Sequence, residues 1–341
     1  MNKRVKYLDI ARGIAIISVI LGHLGNSSLN RFVFTYHLPC FFLITGYFMS
    51  DKQSIKSFFV RKVRTLLVPY VFACAGIIFF GTFFAFCKDG AEHALNTAEK
   101  WFLSSLFGSG VKINILGGVG PIGALWFLWA TLWGSLLLRL TLNLKPWERL
   151  SVITITYIAA AWSTAHFWLP FSIQMGCCAA LFMYCGYLIK QSQLHLLEMP
   201  LEVKAAWTIF AFFIWYAFVR DFKSFWLVQF DTGRGIIDIF GSLCASYCIF
   251  LLSWQIDLRL SRIGSLLAYI GRYSILILCV HIIELNTFPW SVLMRVLYHF
   301  GAPETFTLWY MIICKLAFDL SAATLLSQVP FIRKAFGLTR R

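Results

Sequence analysis

Apolar residues along this chain come in long continuous runs, separated by short stretches that hold most of the charge. Runs of about 17–22 residues, the length of helix that crosses a bilayer, fall near 8–25, 32–50, 66–87, 123–140, 150–168, 172–189, 205–219, 235–254, 274–290 and 306–326. None alternates polar and apolar with a period of two, so the spans read as helices rather than strands of a closed barrel, the other form that satisfies its own backbone in lipid. The pattern predicts an all-α integral membrane protein of about ten transmembrane helices. With the N-terminus inside, about 21 Lys and Arg fall in inner segments and about 8 in outer ones, with Lys315 left within a span; the positive-inside rule then puts both termini in the cytoplasm.

Composition agrees. The chain has 341 residues, of which 59% are hydrophobic, 18% aromatic and 13% charged. A soluble domain has about 25% charged residues, so this chain has half the usual means of wetting a surface. Its net charge of +15 invites comparison with nucleic-acid binders, but the cations cluster between apolar runs, and nucleic acid is set aside as a partner. The ten cysteines are scattered, mostly inside apolar runs, with no CxxC or Cys/His spacing, so they read as small buried hydrophobes and no metal is expected. Lys3, Arg4 and Lys6 before Ile14–Leu21 imitate a signal peptide, but no small-residue cleavage site follows, and the stretch reads as an uncleaved first helix. The longest outer connection, Lys88–Ile122, contains "FGSGVKINILGGVGPIG", whose glycines predict turns or irregular backbone but not a phosphate loop. With no repeat and no polar block, residues 1–341 read as a single membrane domain without a soluble one.

Candidate chemistry sits inside the apolar runs. In "LDIARGIAIISVILGH", Arg12 and His23 are eleven residues apart, which on a helix is three turns plus about 20°, so they share a face about 16 Å apart. Asp9 lies one turn before Arg12, where a carboxylate can pair with it. Arg12 can equally be an interfacial anchor that snorkels, and His23 a wetted helix end. The second run, "FVFTYHLPCFFLITGYFMS", sets His37 near the same outer level as His23 on an antiparallel neighbour, and its Pro39 and Gly46 can bend or thin the helix. Ionisable groups inside a membrane usually face a cavity and mark function, and histidine suits proton transfer near neutral pH. In the ninth run Glu284 follows His281 by three residues, either lining the same cavity or forming a structural pair. Trp126, at the outer entry of the fourth span, can stack on a sugar or anchor the interface. Lys315 and Asp319 have the spacing of an intrahelical ion pair. His93, His195 and His299 fall in loops and receive no role.

"LDIARG", the Arg12-x10-His23 spacing, "YHLPCFFLITGYF" followed by "RKVRTLLVPY", and later "GALWFL" and "IGRYSILILCVH" resemble, in order, the landmarks of the membrane-bound acyltransferase 3 family. The closest branch contains fucose 4-O-acetylases and other polysaccharide O-acetyltransferases. Thr45 stands where that family usually has serine, which keeps a hydroxyl. The resemblance implies one acyltransferase 3-type transmembrane domain in a bacterial inner (plasma) membrane. It also implies an acyl-CoA donor, usually cytoplasmic acetyl-CoA and not a permanently bound cofactor, and a hydroxyl acceptor on an envelope sugar or polysaccharide or its lipid-linked precursor. Inner-face cations that can meet the anionic donor are Arg12, Arg61, Lys62, Arg64, Arg139 and Arg272, although positive-inside bias accounts for any one of them. On this view Arg12, oriented by Asp9 and helped by Arg61 and Arg64, holds donor phosphates. His23 is the general base or an acyl carrier, and His37 binds the acceptor or polarises the thioester. The alternatives are a proton-coupled transporter of a small polar solute, which buried histidines and a charged pair would suit, and a lipid-binding sensor, which leaves the histidines unexplained.

Overall fold

The structure is a computed structural model that describes residues 5–114, 118–192 and 200–338. It is helical almost throughout; among the described residues the only β contact is an isolated bridge between Ile113 and Val119. Each of the ten apolar runs falls on helix. The first forms α1 (Lys6–Gly22). The second is broken: α2 (Ser27–Val33), capped by the Asn26 side chain, stops before α3 (His37–Tyr47) begins. Pro39 explains the break, because in a continuous helix its ring would meet the carbonyl four residues earlier, whereas in a first turn its missing N–H leaves nothing unpaired.

The third run lies in α4 (Ile55–Asp89), whose 35 residues reach about 52 Å and outrun the ~30 Å hydrocarbon core. Gly90, at φ +85°, turns the chain, and α5 (Ala91–Phe107) folds back along α4, with the Tyr70 hydroxyl donating to the Ser105 carbonyl at 2.6 Å. The expected irregular connection from Lys88 to Ile122 is therefore helical over its first half, where neither Gly nor Pro interrupts residues 91–107. Irregular backbone starts only at Gly108, which adopts a left-handed φ of +59°. The consequence for His93 is that it lies in this helix, 3.8 Å from Asp89, and not in a loop.

The remaining elements are α6 (Trp126–Thr141), α7 (Pro146–Thr164), α8 (Ile173–Gln191), α9 (Leu201–Arg220), α10 (Ile236–Arg259), α11 (Ser261–Arg272), α12 (Ser274–Thr287), α13 (Trp290–His299), α14 (Glu304–Leu326) and α15 (Pro330–Ala335). His299 ends α13, and His195 lies outside the described residues. Among the described residues six helical segments are long and apolar enough to cross a bilayer alone, those carrying α4, α6, α8, α9, α10 and α14; α11 and α12, bent by 67°, make a seventh if taken together. The other three runs differ in kind: α1 has 17 residues, the α2–α3 pair is broken, and α7 opens on the polar turn "PWERL". This is a multi-pass membrane architecture.

Glycine brings the site-bearing helices together. A Cβ on Gly13 of α1 would run into the Leu267 carbonyl of α11, and one on Gly271 of α11 would run into the Asp9 carbonyl of α1. The same reciprocal arrangement joins α3 to α8: Gly46 lies on the Met183 carbonyl and Gly186 on the Leu43 carbonyl. Lipid tails are as apolar as leucine, so close backbone packing, rather than hydrophobic exclusion, drives such pairs. Replacing Gly46 by Val is expected to force α3 off α8 and to cost about 1–3 kcal/mol or more, read as a lower thermal midpoint of the detergent-solubilised protein by tryptophan fluorescence.

Candidate active site

α1 ends at Gly22, so His23 is its C-terminal cap, and its ring Nδ1 lies 2.8 Å from the Val19 carbonyl. His37 opens α3 and repeats the contact, with Nδ1 2.7 Å from the Val33 carbonyl. A carbonyl oxygen only accepts, so each contact favours the neutral tautomer that carries the proton on Nδ1 and the lone pair on Nε2. Both rings line one cavity of about 590 Å³, walled by α1, α3, α4, α6, α11, α12 and the loop around residues 225–228. At the other end of α1's buried face the same cavity is lined by Arg12, Lys62 and Arg272, with apolar wall such as Ile16, Leu38, Phe41 and Leu66 in between. A cationic mouth and a pair of imidazoles are thus two ends of one space, about 16 Å apart along α1.

Asp9 is buried and its Oδ1 accepts from Arg12 Nη1 at 3.2 Å, which holds the guanidinium where it also covers the Phe48 ring at 5.6 Å. The other expected cations divide. Lys62 and Arg272 reach the cavity, while Arg61 and Arg64, on either side of Lys62, face a separate shallow groove with Ser54, Lys56 and Ser57. Arg139 is buried and donates to the Asp51 and Gln53 carbonyls at 3.1 and 2.5 Å, clamping the turn before α4. Trp126 lines the cavity but is buried in its wall next to Phe127 and is not an interfacial ring. The more open aromatic is Trp226, 41% exposed, edge-on to Phe34 at the histidine end; nothing local in its loop singled it out in the sequence.

His281 and Glu284 do not line the cavity. Both are fully buried behind His23. His281 Nε2 lies 3.3 Å from His23 Nδ1, and its Nδ1 lies 2.9 Å from Asp319 Oδ2 and 3.0 Å from Glu284 Oε1. The expected Lys315–Asp319 pair within α14 gives way to two contacts with α12: Lys315 Nζ is 3.2 Å from Glu284 Oε1, and Asp319 takes His281. The Trp290 indole N–H also donates to Glu284. Three ligand-type atoms of His281, Glu284 and Asp319 lie within 4.8 Å of one another, but the Lys315 ammonium already supplies the local positive charge and opposes a second cation. The group is an ion-pair and hydrogen-bond network.

Residues 5–326 match the acyltransferase domain family, and the chain belongs to it. Two similar relatives both bear the name nodulation protein NolL. The one from Mesorhizobium japonicum is 27% identical over 175 residues, covering 47% of this chain and 41% of that protein. The one from Sinorhizobium fredii is 31% identical over 157 residues, covering 41% of this chain and 37% of the relative. The chain thus spans about two fifths of the length of these relatives. No solved structure matches it.

Removing one partner of a buried ion pair leaves the other uncompensated, at a cost of about 3–5 kcal/mol. Lys315→Met is therefore expected to destabilise the protein strongly, and Lys315→Met combined with Glu284→Gln to recover much of the loss. Thermal unfolding of the two variants beside wild type checks this.

Proposed function

We propose that this chain is an O-acetyltransferase that moves an acetyl group from acetyl-CoA to a hydroxyl of an envelope sugar or polysaccharide, or of its lipid-linked precursor. The observation that carries this reading is the single cavity with cations at one end and two imidazoles at the other. Coenzyme A has the same polarity, anionic phosphates at one end and a reactive thioester at the other. Family membership supports acyl transfer as the reaction class. The distribution of Lys and Arg supports cytoplasmic termini, and with them a cytoplasmic donor at the Arg12 end. A bacterial inner membrane fits this arrangement.

In this mechanism Arg12, Lys62 and Arg272 bind the phosphates, and Asp9 holds the Arg12 guanidinium in place. Arg61 and Arg64 face their own groove on the adjoining turns of α4 and attract the donor at longer range. His23 Nε2 takes the proton of the acceptor hydroxyl as its oxygen attacks the thioester carbonyl. The carbon–sulfur bond then breaks, and the leaving thiolate takes that proton back from His23, so the base is regenerated. His37 also presents a lone pair at Nε2, which suits it to accept from an acceptor hydroxyl and does not suit it to polarise a carbonyl. The two imidazoles then orient and deprotonate one substrate. Trp126 and Trp226 supply ring faces on which a sugar can rest.

Purified protein given acetyl-CoA and a panel of sugar acceptors is expected to release free thiol in step with ester formation. His23→Ala should lower kcat by about 10²–10⁴-fold, the range that general bases contribute. Arg12→Ala should act chiefly by raising KM for acetyl-CoA. An Arg12 variant that keeps donor affinity and loses transfer would refute the phosphate role, and solute flux without thiol release would favour the transporter.

A further inference from the structure

The network behind His23 has a polarity of its own. Glu284 is matched by two donors, the Lys315 ammonium and the Trp290 indole N–H. Asp319 has no such match. It is fully buried, the contact to its Oδ2 is His281, and its Oδ1 has no hydrogen-bond partner among the described residues. With both carboxylates ionised, Lys315 protonated and both imidazoles neutral, the cluster carries one net negative charge, which belongs to Asp319. His281 stands between that charge and His23, its ring centroid 5.2 Å from that of His23.

We propose that Asp319, acting through His281, is a positioning residue that keeps His23 in the tautomer with its lone pair on the cavity side and balances the charge His23 acquires. With these charges the contacts set the proton order. Asp319 and Glu284 only accept, so the proton of neutral His281 is on Nδ1, and its Nε2 can only accept in turn. His23 Nδ1 must then carry a proton, shared between the Val19 carbonyl at 2.8 Å and His281 Nε2 at 3.3 Å. What remains on His23 is the lone pair of Nε2, on a ring that lines the cavity. When Nε2 takes a proton the ring becomes an imidazolium, and the uncompensated carboxylate of Asp319 is the charge that offsets it. Because His281 and Asp319 are fully buried, that compensation is worth more than at a surface. Neither Val19 nor the paired Glu284–Lys315 can provide it: the first is neutral and the second already balanced.

This inference rests on the proposed role of His23, so its test includes a readout that needs no reaction. Imidazole-nitrogen NMR of the full-length protein labelled at histidine, with the His23 signals identified from His23→Ala, reports the tautomer directly. Wild type is expected to show His23 with a protonated Nδ1 and a bare Nε2, and Asp319→Asn to show mixed tautomers. In the thiol-release assay Asp319→Asn should lower kcat by about 10²-fold or more with KM for acetyl-CoA little changed, and Asp319→Glu should recover part of it. His281→Gln should repeat both effects, and serves if the Asn variant does not accumulate. A His23 spectrum unchanged in these variants overturns the proposal, whether kcat falls or not. If wild type releases no thiol with any acceptor, the proposed function fails while the tautomer result still stands or falls by itself.

Discussion

The contact between Lys315 of α14 and Glu284 of α12, 3.2 Å long and closed to solvent, is the interaction on which the rest of the site depends. Taking a carboxylate or an ammonium out of water is costly, and for Glu284 and Lys315 that cost is offset because each meets the other in good geometry and Trp290 takes up a further carboxylate lone pair. Once Glu284 is neutralised in this way, α12 and α14 are held in a fixed relation. Asp319, one turn along α14, is then free to hold His281 instead of Lys315. Through His281 the arrangement reaches the end of α1 and His23. A pair that a helical wheel assigns to one helix thus becomes the fastening between two, and the placement of His281 against His23 follows from it.

Two kinds of constraint meet in the cavity. On the side of α1 that faces α11, reciprocal glycines press the backbones together and leave no space. On the neighbouring side, α1, α3, α4 and α6 stand apart around a volume of about 590 Å³. The early end of α3, imposed by Pro39, brings His37 to the start of a helix, where its ring can fold back onto the Val33 carbonyl and still face that space. Packing density on one face and room on the other come from the same few residues.

Much of the site was legible in sequence for one reason: helical spacing converts directly into position. Asp9, Arg12 and His23 lie on a single continuous helix, and the structure keeps Asp9 on Arg12 and both Arg12 and His23 on the cavity. The membrane class was equally plain, because apolar runs of this length have no place in a soluble fold. Spacing failed where contacts cross between helices. Lys315 and Asp319 look like partners on one helix, yet each finds its partner on α12. Arg61 and Arg64 sit within a turn of Lys62 but point to another groove, since successive residues on a helix face about 100° apart. Trp226 lies in a loop, where no period exists to read.

By itself, then, the sequence determined the solvent this chain folds in, the helical form of its spans, and the face of α1 that carries charge to one end and an imidazole to the other. These follow from composition and from the fixed geometry of the α-helix, both local properties. Only the tertiary structure decided which cations enter the cavity, that His281 stands behind His23 instead of lining the cavity, and that Asp319 is the carboxylate left for it. Those outcomes depend on how α1, α12 and α14 are rotated and set against one another. That rotation is chosen by the pairing of buried charges and the approach of glycines, interactions between residues up to hundreds of positions apart.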